Sequence, residues 1–366
     1  MKTFLQVCLS RSWGGLEMVA GETARSMKSK GHASFVVCPQ GSPLADYCAK
    51  QGIPMLHMEL KKRPAPFLSM KLRRFIEDQG VTDVVIHQLK DLWIVTPALW
   101  KLSGVRAIGF SHTFLDYKKK DFFHRVLYRR LNILIALTQR HLENLLIHLP
   151  VEKSQMQIIP NSVDAEQFHP SKKTPGVREQ FHVRDSEVLI GVIGRLDPQK
   201  GQIETVEAAH LLKQRGLGFK LIFVGEETKN SPGLGAKLKA RIQELGLQDE
   251  VFMTGFLENP DRVTASLDIF VMPSYAETFG KVLLEAMSSE VAVVATDAGG
   301  VPDILAQNHE GLLVTPKDPI VLADALETLI RQAEKRAEFA RNARKRILKD
   351  FSTDVVNRQL DQLFGV

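Results

Sequence analysis

The chain is poor in cysteine. Three thiols stand in 366 residues, Cys8, Cys38 and Cys48, and none forms a metal-spaced pair. That excludes a disulfide-knotted scaffold and a zinc-finger framework. Cys8 and Cys38 sit in strand-like apolar runs, which predicts buried free thiols and a reducing compartment, the cytoplasm. No apolar run approaches the roughly 18 residues that a membrane span needs. The apolar stretch after Lys2 is interrupted by Gln6 and followed by a glycine turn, so it reads as a first β-strand and not as a secretion signal. Aromatic residues are only 7% of the chain, and no zinc-finger, RNA-recognition or basic-zipper pattern is present, which argues against nucleic acid as a partner.

What remains is an ordinary globular composition, 44% apolar and 25% charged, which excludes disorder as the main state. At about 100–150 residues per domain, the length suggests two domains. Charge is uneven between them. Residues 1–165 hold 23 of the 48 Lys and Arg but only 13 of the 42 Asp and Glu, a net of +10; residues 166–366 carry −4. A basic first half attracts phosphates or anionic lipid headgroups. The run from Tyr117 to Arg130 is its sharpest part: Phe122, Phe123, Val126 and Leu127 recur at helical spacing among Lys118, Lys119, Lys120, Arg125, Arg129 and Arg130. That pattern suits either a membrane-surface helix or an amphipathic helix with a solvated basic face. Lys61-Lys62-Arg63 and Arg73-Arg74 add to it.

Strand-like and helix-like segments alternate throughout. Strands are expected at residues 3–9, 33–38, 84–87, 106–110, 133–138 and 156–159, then at 188–194, 219–225, 251–255, 269–274, 291–296 and 311–314. Helices include residues 15–30, 202–215 and 280–289. Short continuous Val/Ile/Phe runs are what strands covered on both faces look like. The class is therefore α/β, with two doubly wound parallel sheets, Rossmann-like, and a site in a cleft at the carboxyl ends of their strands. The breaker-rich stretch 169–176 marks the boundary, giving domains 1–169 and 170–350. A long helical tail is expected over 320–349. A last helix over 351–366, capped by Ser352, would pack back on the first domain.

Gly194-Arg195-Leu196-Asp197-Pro198-Gln199-Lys200-Gly201 follows a strand and precedes a helix. Glycine lets backbone approach a ligand, and Arg195 and Lys200 bring two cations to a helix entrance whose free N–H groups already favour an anion. That is a site for a diphosphate, although it is neither G-x-x-x-x-G-K-[ST] nor G-x-G-x-x-G. In isolation, such a pair is as often merely solvated. A second stretch runs from Pro273 to Met287. Glu277 lies in a loop just past a buried strand, and Glu285 lies eight positions on, about two helical turns. One carboxylate can bind sugar hydroxyls and the other both hydroxyls of a ribose, while the amides of Phe279, Gly280 and Lys281 open the helix toward hydroxyls or phosphate. The bland alternatives are a helix-start acid for Glu277 and a surface glutamate for Glu285.

These motifs resemble those of the retaining GT-B glycosyltransferases, the "glycosyl transferases group 1" family akin to glycogen and sucrose synthases. The matching pieces are G-R-L-x-x-x-K-G, E-x7-E after Pro273-Ser274, Gly299-Gly300-Val301-Pro302-Asp303 and Gly311-Leu312-Leu313-Val314. In the first half they are Gly14-Gly15-Leu16-Glu17, Ser111-His112-Thr113 and Pro160-Asn161-Ser162-Val163-Asp164. The resemblance implies that Arg195 and Lys200 neutralise the leaving diphosphate and that Glu285 holds the ribose. It also implies that Glu277 and Gly194, with the amides of Phe279, Gly280 and Lys281, position the donor, that His112 hydrogen-bonds the sugar, and that Gly15 approaches phosphate or acceptor through its backbone. The donor would be a UDP- or GDP-sugar, its base read by backbone near residues 252–256, and the acceptor a lipid-linked or envelope glycan such as lipopolysaccharide. No cofactor or metal is implied; Asp-x-Asp occurs nowhere, consistent with Arg and Lys in place of a cation. Glu290, Ala292, Ser162 and Asp303 replace the glycine, proline, glycine and glutamate common in the family. The alternatives are a nucleotide-sugar epimerase and a non-catalytic sugar-nucleotide-binding protein; a phosphorylase would need a pyridoxal lysine motif that is not seen.

Overall fold

Valine, isoleucine and phenylalanine dominate the short strands, and polar helix starts separate them. The computed structural model describes residues 1–60, 65–227 and 231–366; the basic run Lys61-Lys62-Arg63 lies outside the described residues. The chain divides into two units, Met1–Ile159 and Pro160–Val366.

The first unit runs β1 (Thr3–Val7), α1 (Gly15–Ser29), β2 (Ala33–Cys38), α2 (Pro43–Lys50), β3 (Met55–His57), α3 (Pro66–Asp78), β4 (Asp83–Ile86), α4 (Leu92–Ala98), β5 (Arg106–Phe110), α5 (Phe122–Tyr128), β6 (Ile133–Ala136), α6 (Gln139–His148) and β7 (Met156–Ile158). All neighbours pair in parallel, in the order β3-β2-β1-β4-β5-β6-β7, with Leu5 opposite Phe35 on one side and Val84 on the other. Helix starts follow the chemistry of their caps: Ser42 accepts from the Ala45 amide (3.3 Å) ahead of Pro43, and Thr138 from the His141 amide (3.1 Å). The short β3 was absent from the expected strands; its three residues are only half-buried or exposed and so lack a continuous apolar run. The three cysteines are buried and free, and burial pushes the Cys38 thiol up to about 11.

The second unit runs α7 (Pro175–Gln180), β8 (Val188–Ile193), α8 (Gln202–Gln214), β9 (Phe219–Val224), α9 (Leu234–Glu244), β10 (Val251–Gly255), α10 (Asp261–Ser266), β11 (Ile269–Met272), α11 (Lys281–Ser288), β12 (Ala292–Thr296), β13 (Gly311–Val314), α12 (Pro319–Arg331), α13 (Ala333–Arg346) and α14 (Thr353–Phe364). The parallel order is β10-β9-β8-β11-β12-β13. Phe219, Phe223 and Phe270 are fully buried between sheet and helices, each contributing roughly 1.5–3 kcal/mol by leaving water.

Three expectations about the chain's later part are corrected. The expected boundary stretch 169–176 falls inside the second unit, because residues before it are tied there: Val163 bridges Ser352, and the Ser288 hydroxyl donates to the Phe168 carbonyl (2.7 Å). The tail is two helices broken at Gln332, followed by a π-turn over Ile347–Phe351. Ser352 does occupy the N-cap position of α14, but its hydroxyl bonds back to the Leu348 carbonyl (3.5 Å) and caps nothing; α14 is joined at its start by the Thr353 amide to the Val163 carbonyl (3.0 Å).

Each sheet reverses its strand order once, between β1 and β4 and between β8 and β11. The space outside the carboxyl ends at such a reversal is where doubly wound sheets bind ligands.

Candidate active site

Both acidic and basic motifs of the second unit issue from the strands at its reversal point. After β8, Gly194 sits at φ 148° and its amide bonds to the Val224 carbonyl (2.9 Å). The Asp197 carboxylate accepts from the Gln199 amide (2.9 Å), and the Lys200 amide donates to the Asp197 carbonyl (2.8 Å). Gly201, left-handed at φ 67°, starts α8 with no side-chain cap. The Arg195 carbonyl is held by Gln202 Nε2 (2.9 Å), while its guanidinium is exposed and carries no hydrogen bond among the described residues. Two cations thus flank an uncapped helix start, an arrangement that binds anions.

The loop after β11 is fitted directly onto this one. A Cβ at Gly201 would stand 2.1 Å from the Pro273 carbonyl oxygen, so only glycine permits the approach. The Tyr275 amide donates to the Gln199 carbonyl (2.8 Å). These contacts bring the Lys200 ammonium onto the Glu277 carboxylate as a hydrogen-bonded ion pair, with side chains 28% and 17% exposed. A third loop, after β12, braces the acid: the Gly300 amide donates to the Glu277 carbonyl (2.9 Å), and a Cβ at Gly299 would lie 2.0 Å from that oxygen. Gly280, at φ 83°, opens α11. Phe279 is buried and packs edge-on against Phe351 (6.1 Å), so it can offer a ligand only its backbone. Lys281 is the first residue of α11.

Glu285 lies between buried Leu284 and Ala286, and its carboxylate makes no hydrogen bond among the described residues. Burial raises its pKa, and the charge of Lys281 one turn earlier pulls the other way. A half-buried carboxylate with open acceptor positions suits a pair of neighbouring hydroxyls, such as those of a ribose.

The remaining expected residues belong to the first unit. Gly15 is the first residue of α1, and a Cβ there would meet nothing within 4 Å; the chain's own packing does not demand glycine there. His112 follows β5. Its ring stacks on Phe110 (6.0 Å) and near His87 (6.2 Å), and Nε2 is buried without a partner. Burial, reinforced by His141, pushes its pKa down to about 3, so the ring is neutral at physiological pH. His87, whose Nε2 meets Gln6 Oε1 at 2.8 Å, was not expected from the sequence; nor was the bond between the Tyr275 hydroxyl and Glu204. A lone histidine or a glutamate in a first helical turn gives no signal by itself.

Two doubly wound parallel sheets of this kind are the GT-B architecture. The crystal structure of Anabaena HepE in complex with UDP and glucose shares the fold over 100% of both chains (TM-score 0.86, 21% identity). Residues 13–167 match the family model "Glycosyltransferase Family 4" and residues 175–346 match "Glycosyl transferases group 1". Both matches are to glycosyltransferase families, and they support a group 1 glycosyltransferase. Among curated relatives, it is 24% identical over 316 residues to the N-acetylgalactosamine-N,N'-diacetylbacillosaminyl-diphospho-undecaprenol 4-alpha-N-acetylgalactosaminyltransferase of Campylobacter jejuni, covering 84% of this chain and 82% of that protein. It is 26% identical over 207 residues to the capsular polysaccharide biosynthesis glycosyltransferase CapM of Staphylococcus aureus, covering 56% of this chain and 53% of the relative; the chain thus spans about half of CapM's length.

Proposed function

We propose that the chain transfers a sugar from a nucleoside-diphosphate sugar to an acceptor hydroxyl with retention at the anomeric carbon. The observation that carries this reading is the meeting of Lys200 and Glu277 at the reversal point of the second sheet. Arg195, Lys200, the Gly194 backbone and the α8 amides receive the diphosphate. Glu285 takes the ribose hydroxyls. In the second unit Glu277, with the backbone of Phe279, Gly280 and Lys281, takes sugar hydroxyls; in the first unit neutral His112 offers its ring to a hydroxyl, and Gly15 admits phosphate or acceptor to the start of α1. The bond from the anomeric carbon to the β-phosphate oxygen breaks, its electron pair staying with the diphosphate. The acceptor oxygen bonds to that carbon from the same face and passes its proton to the departing phosphate oxygen. The charge that develops there meets preorganised cations, which do the work a metal does in other transferases.

The acceptor is a lipid-linked or envelope glycan of the lipopolysaccharide type, taken up at the inner face of the cytoplasmic membrane. Support comes from the undecaprenol-linked substrate in the Campylobacter relative's name and from the α5 surface. Phe122, Phe123 and Val126 are 73%, 65% and 37% exposed, while Leu127 and Tyr128 of the same helix are buried. No helix among the described residues is long and apolar enough to cross a membrane, so attachment would be peripheral. UDP, the nucleotide in the HepE complex, is the first base to try. The test combines UDP-, GDP- and ADP-sugars with an undecaprenyl-diphosphate glycan and reads the product anomer by proton NMR. Inversion would refute retention, and release of free sugar with no transfer would refute the transferase reading. Flotation with anionic and neutral liposomes tests the surface; no binding to either would remove it.

A further inference from the structure

Tyr275 is not among the residues that face the diphosphate or the sugar, yet three contacts converge on it. Its amide donates to the Gln199 carbonyl of the loop after β8 (2.8 Å). Its hydroxyl donates to the Glu204 carboxylate in the first turn of α8. The Lys317 ammonium lies over its ring, 4.7 Å from the centroid. Next to it, the Pro273 carbonyl seats against Gly201, where no side chain would fit. The other Glu204 oxygen is buried with no hydrogen bond, so the tyrosine hydroxyl is the described partner of that carboxylate. A buried carboxylate that loses its one hydrogen bond is costly.

From this geometry we infer that Tyr275 and Glu204 form a clamp that positions the diphosphate-binding cations against the sugar-binding acid, making both of them positioning residues for the transfer step. The clamp joins the loop that carries Glu277, two residues beyond Tyr275, to the first turn of α8, which directly follows the loop that carries Arg195 and Lys200. Groups at the two ends of the bond being broken need fixed separation in the transition state, and a misplacement of about 1 Å can cost 10²-fold in rate. Nucleotide affinity depends on that separation much less, because each loop meets its own part of the donor. Losing the clamp therefore lowers kcat while KM for the donor changes little.

The inference rests on the transferase reading for its kinetic consequence but not for the clamp itself, so two measurements are paired. The first is amide hydrogen exchange on the full chain without ligand. Tyr275→Phe and Glu204→Ala should speed exchange across residues 273–279 by tenfold or more, with exchange in β8 and β9 unchanged; unaltered loop exchange in both variants overturns the clamp whatever the protein catalyses. The second is steady-state kinetics with the donor that wild type uses. Each variant should lose tenfold or more in kcat with KM within threefold. The double variant should be no slower than the slower single, because both substitutions break the same bond. Glu204→Gln, which keeps an acceptor oxygen, should stay within threefold of wild type. A kcat within twofold in Tyr275→Phe, or losses that multiply in the double variant, overturns the positioning role.

Discussion

Replacing Glu277 by Gln separates the two partners of the ion pair at the heart of the proposed site. Both side chains are largely buried, 28% and 17% exposed. Unit charges about 3 Å apart attract by roughly 5 kcal/mol at an effective dielectric of about 20. Desolvation and side-chain ordering offset most of this, leaving about 1–2 kcal/mol, as for other hydrogen bonds between charged groups. An incoming diphosphate must compete with Glu277 for the Lys200 ammonium and must also approach the carboxylate's negative charge. With Gln at position 277 that competition disappears, and the nucleoside diphosphate alone should bind about 5–30-fold tighter. The same substitution removes the acid that holds the sugar, so kcat for transfer should fall by about 10²–10³. Opposite movement of product affinity and turnover distinguishes this arrangement from general damage, which lowers both. Isothermal titration with UDP, GDP and ADP, beside turnover of the matching sugar nucleotide, reads the two quantities. Unchanged or weaker diphosphate binding in Glu277→Gln would refute the reasoning.

Arg195→Ala and Lys200→Ala should each lower kcat by about 10²–10³; near-normal turnover in both would reject their role at the leaving group. Glu285→Gln should weaken nucleotide binding by about tenfold or more through loss of the ribose contact, yet stabilise the free protein. Its carboxyl is raised by burial, so the folded state favours the protonated form. The penalty is full at neutral pH and fades as pH falls through the folded value toward the unfolded one, so the gain in Tm over wild type should be largest near pH 7–8 and vanish in acid. Glu290→Gly should raise Tm by about 1–4 °C in thermal melts. Glu290 is left-handed at φ 57° just past α11, with its amide on the Met287 carbonyl (3.2 Å) and that of Val291 on Ala286 (3.2 Å), the helix-end motif that glycine fills. A left-handed side-chain-bearing residue costs about 1–2 kcal/mol, partly offset by glycine's greater entropy in the unfolded chain. A lower Tm would contradict it.

Much of this was legible because it is local. The β8–α8 and β11–α11 transitions could be read from apolar runs that end at glycine or proline, and the left-handed position of Glu290 from the glycine it replaces. Pairing in space was harder to read. Nothing in the spacing between residues 200 and 277 says that Gly201 will seat on the Pro273 carbonyl and bring Lys200 to Glu277, or that Gly299 will back the same acid. Those contacts follow from strand order, with β8 beside β11, which is set by packing across the whole sheet. The tail misled for the same kind of reason: an apolar periodicity continues through Gln332 and residues 347–351, but the backbone breaks and widens there. Ser352 has the right residue type for a cap, yet its hydroxyl finds a carbonyl in the preceding turn instead.

The most direct test of the central claim is calorimetric binding of the nucleoside diphosphate to wild type and to a protein carrying both Arg195→Ala and Lys200→Ala, with the unphosphorylated nucleoside as control. Wild type should bind the diphosphate saturably, the double variant at least a hundredfold more weakly, and both should bind the nucleoside equally feebly. Equal diphosphate affinity in the two proteins would contradict the claim.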